Sequence, residues 1–287
     1  MSQERGQQFL LELPNLRHEL PYSPQLLDTL YNQTGLDSDT PLDAIAETMG
    51  RDQGLTAKVL TMANSAFYGL QQEVTTVARA LTVLGLNEVR TLVLAVGVKA
   101  LTQDKNFPKD FNLKSYWEHQ LRVGLAARML APLMGGLGGD SLFTAGIHHD
   151  LGKLLTALHR PDDWRIIEEL AAARPLAYSE AEEEHWGLEH GVIGSMVMGS
   201  WNLPVALTEP VNWHHAPMHS PSHRREALAL CVADALTHSM ADPQAVVRCP
   251  WREVTAKFHI DGDDLLAKTQ ALFLKYDPGV FADGLAA

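Results

Sequence analysis

Helical spacing runs through almost the whole chain, and convincing apolar–polar alternation of the kind a half-buried strand requires is absent. That pattern restricts the chain to an all-α architecture. In 23–32, Ser23 is a fitting N-cap and Pro24 a fitting first helical residue, with Leu26, Leu27, Leu30 and Tyr31 on one face. Thr40-Pro41-Leu42-Asp43 opens a second helix in the same way. Further helices are expected over 53–64, over 77–84 with a stop at Gly85, and from Asn87 through Val89, Leu92, Val93 and Val96. The polar segment 102–112, which contains Pro108, separates this N-terminal part from the rest. Two subdomains are therefore expected, over 1–108 and 109–287.

In the second part a long helix is expected from Leu113 to about Leu130, stopped near Pro132 and followed by a glycine-rich loop. One continuous helix over 141–158 comes next, then an acidic helix through 166–170 and helices over 191–201, 226–240 and 261–276. The segment 202–221 holds four prolines and two adjacent histidines.

The net charge of -12 argues against bulk electrostatic binding of nucleic acid, which needs a basic face to displace counterions. The N-terminal residues lack the basic start and apolar core of a signal peptide, and no apolar run approaches membrane-spanning length. Two isolated cysteines, Cys231 and Cys249, indicate neither a disulfide framework nor a zinc finger. A cytoplasmic location is the expectation these features support.

Histidine is the unusual component. There are 13, and ten fall between His119 and His223. His148-His149-Asp150-Leu151-Gly152-Lys153 sits in an otherwise apolar helical run. Polar groups on a buried helix need hydrogen bonds, ions or metal, and imidazole beside carboxylate suits a divalent transition metal. A metal-free polar network satisfies the same requirement, and this segment alone leaves both open. Lys153, three residues after Asp150, can pair with the carboxylate or hold a phosphate. His119, His190, the pair His214-His215 and Asp234 each interrupt apolar sequence as well. His148, turned about 100° from His149 on a helix, is expected to pack beside the site rather than to ligate. His185, His219, His223, Arg122, Arg224, Arg225 and the acidic run 180–184 are expected on solvated surface, and Cys231 in the core.

Taken together, His119, His149-Asp150 and Asp234 resemble the H…HD…D signature of the HD superfamily, all-helical metal-dependent phosphohydrolases. Adding Lys153, His190 and His214-His215 resembles the fuller set of HD-GYP phosphodiesterases. This resemblance implies a first metal on His119, His149, Asp150 and Asp234. It implies a second sharing Asp150 and held by His190, His214 and His215. Catalytic roles would fall to Asp150 and Lys153. The loop after His215 lacks the GYP motif, and Ser115 stands where some of those enzymes place a glutamate.

The N-terminal half is similar to the HDOD family. The resemblance rests on Leu11-Glu12-Leu13-Pro14, Arg51-Asp52, the segment 59–70 with Asn64-Ser65-Ala66 and Tyr68, and the segment 75–94 with Ala80 and Leu84-Gly85. Asn64 and Ser65 also suit a helix-end turn with no ligand role. The resemblance implies a multi-helix HDOD/HD-type bundle with an N-terminal helical subdomain. It implies a signal-transduction or regulatory protein that retains a binuclear His/Asp site, with Fe or Mn favoured and Zn or Ni as alternatives. The alternative activity is a metal-dependent phosphohydrolase acting on a nucleotide or cyclic dinucleotide. The implied partner is a signalling protein or a phosphate-containing small ligand, with no bulk nucleic acid and no membrane.

Overall fold

The computed structural model describes residues 2–13, 29–30, 32–35, 38–50, 53–64, 74–86, 88–90, 107–174, 176–200, 203–242 and 249–275. Among them there is no strand, and the fold they describe is all-α. Most of the helix expected from Ser23, and the continuation expected from Asn87 beyond residue 90, lie outside the described residues.

The chain divides into two compact units, one of 18–103 with 284–287 and one of 1–17 with 104–283. In the smaller unit, helices α2 (Leu42–Gly50), α3 (Gln53–Ala63) and α4 (Val77–Leu84) pack on one another. Ile45, Met49, Leu55, Val59, Ala80 and Leu81 are buried there. Thr76 caps α4 by accepting from Arg79 N, and Gly85 ends it with φ of 79°, a conformation glycine adopts without a Cβ penalty. Asn64 turns the chain at the end of α3. Its amide donates to Val74 O at 2.8 Å and its carbonyl accepts from Val74 N at 2.6 Å. Ser65, Ala66 and Tyr68 lie outside the described residues.

The larger unit contains α1 (Ser2–Glu12) and α5 (Leu113–Leu133), then α6 (Gly139–His148) and α7 (Leu151–His159). It continues with α8 (Pro161–Ala173), α9 (Tyr178–Trp186), α10 (His190–Ser200) and α11 (Val205–Trp213). The last helices are α12 (Arg224–Ala241), α13 (Trp251–Lys257) and α14 (Gly262–Lys275). Helix α1, which a boundary after residue 108 assigns to the N-terminal part, packs here on α9. Phe9 stacks on Trp186 at 5.8 Å, and Arg5 pairs with Asp163 at 2.9 Å.

Two expectations about helix limits are corrected. The run 141–158 is two helices, broken at His149-Asp150. Asp150 has φ -96° and ψ 15°, and Gly146 O accepts from the ring Nδ1 of His149 at 2.8 Å. The imidazole thus takes a carbonyl that a continuing helix would bind with the amide of residue 150. In the segment 202–221, α11 runs through Pro210. The carbonyl left without an amide partner by that proline belongs to Ala206, which is exposed and accessible to water. Pro132 likewise lies inside the last turn of α5 rather than beyond its end.

Candidate metal centre

Close helix crossings place the site. At Gly146 on α6, an added Cβ would lie 2.5 Å from Gly124 Cα on α5. At Gly152 on α7, it would lie 2.1 Å from His190 O. Only glycine permits either approach. The first crossing brings His119 of α5 beside the His149-Asp150 break, and the second brings His190 of α10 beside the same break. Helix α12 packs on α5 and α11, delivering Asp234, and the turn after α11 delivers His214 and His215.

All seven residues His119, His149, Asp150, His190, His214, His215 and Asp234 therefore meet in one place. His119 Nε2 lies 3.2 Å from Asp234 Oδ1 and 3.6 Å from Asp150 Oδ2. His149 Nε2 lies 3.4 Å from both Asp150 Oδ2 and Asp234 Oδ1. On the other side, His190 Nε2 is 3.0 Å from Asp150 Oδ1, 3.3 Å from His214 Nε2 and 2.9 Å from His215 Nε2. Asp150 thus offers one oxygen to each side. Lys153 Nζ donates to Asp150 Oδ2 at 2.9 Å and lies 4.9 Å from the centre of the Tyr178 ring. A cavity beside the centre is lined by Lys153, Tyr178, His215, Asp234, His238 and Cys231, among others.

The tautomers follow from the partners. Backbone carbonyls only accept, so the Nδ1 of His149 donates to Gly146 O and that of His214 to Val211 O. In a neutral ring each Nε2 then carries a lone pair, aimed at the centre. His119 Nε2, His149 Nε2, Asp150 Oδ1 and Asp234 Oδ1 are buried without a partner of hydrogen-bond geometry. Leaving a buried polar atom unpaired costs about 1–3 kcal/mol, so four of them are a large burden on a marginally stable fold. The observed separations of 2.9–3.6 Å match what ligand atoms show around a shared ion. Bonds of about 2.1 Å put neighbouring ligands about 3.0–3.4 Å apart. The donor set fits a divalent metal.

Electrostatics point the same way. Burial, opposed by the Asp234 carboxylate, lowers the His119 pKa to about 4. Burial and the neighbouring imidazoles of His149 and His190 lower His214 to about 3. Burial and the rings of His214 and His190 hold His215 well below the usual range. His190 differs. Burial opposes its charge, but Glu182 and Asp150 raise it to about 9. Burial works against ionisation of Asp150 too, yet His149, Lys153 and His190 hold it well below the usual carboxylate range.

Two participants escape a reading of local sequence. Glu182 belongs to the acidic run expected on a solvated face, but it is fully buried. Its Oε2 accepts from His190 Nδ1 at 2.6 Å and from His190 N at 2.9 Å. The available signal is Ser179, Glu182 and Trp186 at i, i+3 and i+7, all buried on one face of α9. His238 carries no local mark in the sequence. It lies one helical turn after Asp234 on α12, with Nε2 3.3 Å from Asp234 Oδ1. Among the described residues, those that can jointly hold an ion fall into three groups: His190, His214 and His215; His119, His149 and Asp150; and His119, Asp234 and His238.

Of the remaining candidates, His148 is buried, with Nδ1 donating to Thr144 O at 2.8 Å. It belongs to none of these groups. His185 is not solvated: its Nε2 contacts Asp163 Oδ1 at 2.8 Å, and only 8% of its side chain is exposed. His219, Arg224 and Arg225 are exposed, and Arg225 donates to Met134 O. Arg122 contacts Glu118 at 3.6 Å. Cys231 is buried at the cavity wall with Cys249. No helix among the described residues is long and apolar enough to cross a membrane.

Known proteins agree with this architecture. A structure from Shewanella amazonensis SB2B, described as a "Putative phosphohydrolase", is 24% identical with a TM-score of 0.74, covering 95% of this chain and 97% of that one. One from Marinobacter aquaeolei VT8, described as a "Putative signal transduction protein", is 20% identical with a TM-score of 0.79, covering 94% of this chain and 60% of that one. An HDOD domain protein with unknown function from Geobacter sulfurreducens is 21% identical with a TM-score of 0.75, covering 98% of each chain. At these identities the likeness is one of fold. In sequence, an uncharacterised protein of Treponema pallidum (strain Nichols) is 24% identical over 233 residues. The match takes in 80% of this chain but 44% of the relative, so the chain spans less than half of that protein. The HDOD domain model matches residues 20–217, well over half of the chain, and this chain belongs to the HDOD family.

Proposed function

We propose that this chain is an HDOD signal-transduction or regulatory module whose His/Asp centre holds divalent metal. The centre has room in its ligand chemistry for two ions: one among His119, His149, Asp150 and Asp234, the other among His190, His214 and His215, with Asp150 between them. The carrying observation is the set of buried nitrogen and oxygen atoms with no hydrogen-bond partner, aimed at common points. Imidazole and carboxylate without thiolate favour Fe or Mn, with Zn or Ni as alternatives. The partner is a signalling protein or a phosphate-containing small ligand reaching the cavity beside Lys153.

Elemental analysis of protein purified without oxygen or chelator, beside Asp150→Ala, tests this reading. About two ions per chain, lost in the variant, is the expected result. Metal-free protein that takes up no added Fe or Mn would overturn it.

Lys153 supports a second reading, a metal-dependent phosphohydrolase acting on a nucleotide or cyclic dinucleotide. Burial opposes its charge, but Asp150 and Asp234 raise its pKa, so the ammonium persists beside the cavity. There it can anchor a phosphate while Asp150 orients the metal ligands. Divalent ions, when bound, supply Lewis acidity toward a phosphate and lower the pKa of water. Metal-dependent turnover in a nucleotide screen, abolished by Asp150→Ala and weakened by Lys153→Ala, would establish it over a purely regulatory role.

A further inference from the structure

We propose that His238 is an additional metal ligand, joining the ion that His119 and Asp234 hold. The proposal rests on the metal-binding reading above and extends it to a residue outside the H…HD…D pattern. It also lies beyond residue 217, where the HDOD match ends.

The geometry carries it. Asp234 and His238 are four residues apart on α12 and so share a face. His238 Nε2 is 3.3 Å from Asp234 Oδ1, and His119 Nε2 is 3.2 Å from the same oxygen. The two imidazoles are neighbours, with ring centres 4.6 Å apart and planes tilted by 41°. Yet Asp234 Oδ1 and His119 Nε2 have no partner of hydrogen-bond geometry. An ordinary His–Asp pair would show a nitrogen pointing at the oxygen. Here nitrogen and oxygen lie at the spacing of neighbouring ligands, and the ligand atoms of His119, Asp234 and His238 all lie within 4.8 Å of one another, within reach of one ion. His119 has a single lone pair to give, so the ion it binds is the ion His238 joins.

The consequence concerns the open position of that ion. His119, His149, Asp150 and Asp234 leave a six-coordinate ion two positions for solvent or ligand, and His238 takes one of them. Its side chain is 40% exposed at the cavity, whereas His149 and His190 are fully buried. A ligand at the rim can leave without opening the core. His238 therefore controls whether an incoming phosphate finds a free position on the metal.

The test loads the full chain with Co(II) and follows the visible absorption of the bound ion, with affinities from chelator competition. His238→Ala and His238→Gln are expected to weaken one of the two ions by about 10–100-fold and to shift its spectrum. The ion on His190, His214 and His215 keeps its affinity. His238→Cys that keeps its helical circular dichroism is expected to add an intense thiolate-to-cobalt band that wild type lacks. Unchanged affinity and spectrum in Ala and Gln variants that keep their helical circular dichroism would overturn the proposal while leaving the centre intact. Wild-type protein that binds no Co(II) would overturn both, and so marks failure of the underlying reading.

Discussion

One oxygen of Glu182 accepts two hydrogen bonds from His190, at 2.6 Å from the ring Nδ1 and 2.9 Å from the backbone nitrogen. The residue that carries the ring and the carboxylate that orients it lie on adjoining helices of the sequence, α10 and α9. The bond fixes the proton on Nδ1 and turns Nε2 toward the centre. Carboxylates in this position commonly tune metal affinity by 10–100-fold. Glu182→Gln is therefore expected to weaken the ion on His190, His214 and His215 by about that factor. Chelator competition measures it, and the His119 side should be unaffected.

The raised pKa of His190 makes metal binding a proton-releasing event. With the pKa near 9, the metal-free ring is protonated at neutral pH, whereas His119 near 4 and His214 near 3 are already neutral. Uptake of the ion at His190 should release about one proton at pH 7, since the ligand must be neutral. Its affinity should rise with pH up to about 9. Calorimetry in two buffers of different ionisation enthalpy counts the proton, and a count of zero would contradict the assignment.

The same shifts define the pH dependence of metal-free stability. Above pH 6.5 the folded chain holds a proton at His190 that the unfolded chain loses, so stability falls as pH rises toward 9. Below pH 6.5 the unfolded chain binds protons at His119 and His214 that the folded chain refuses until about pH 4 and pH 3. Stability therefore falls on that side too. Thermal melts of chelator-treated protein should peak near neutral pH, and the alkaline fall should shrink in Glu182→Gln.

Gly146 and Gly199 make a matched pair. A methyl group at Gly146 would meet the backbone of Gly124 at 2.5–2.7 Å, and α5 or α6 must shift. Gly146→Ala should cost about 1–3 kcal/mol and weaken metal binding, because His119 and His149 separate. At Gly199, in the last turn of α10, a methyl group meets nothing within 4 Å. Gly199→Ala should be neutral or stabilising by up to about 1 kcal/mol. Denaturant titration distinguishes the two.

Asn64 tests the HDOD signature in the smaller unit. Its amide satisfies both backbone groups of Val74. Asn64→Asp keeps the acceptor but sets a carboxylate oxygen against Val74 O. It should destabilise by about 1–2 kcal/mol, with no change in metal content per folded chain. A loss of metal would give Asn64 a role beyond closing the turn.

Much of the helical framework is legible in local sequence, because its signals are local. Thr76 and Gly85 bound α4 through their own side chain and φ angle, and apolar spacing marks α5 and α12. The seven His and Asp positions also stand out, as polar residues interrupting apolar runs. The break at His149-Asp150 does not, because it depends on a ring bond to Gly146 O within a segment of uniform helical pattern. The course of α11 through Pro210 is not legible locally either, because it depends on the Ala206 carbonyl lying on an exposed residue. Glu182 sits among acidic neighbours, and only packing against α10 makes it the buried partner of His190. His238 differs in no local respect from a surface histidine; it matters because α12 lies against α5, where His119 projects. The amino-acid order by itself determined which segments coil and which polar residues had to be explained. The tertiary structure decided which of them meet, because that depends on distances across helices that glycine contacts at 124, 146 and 152 allow to close.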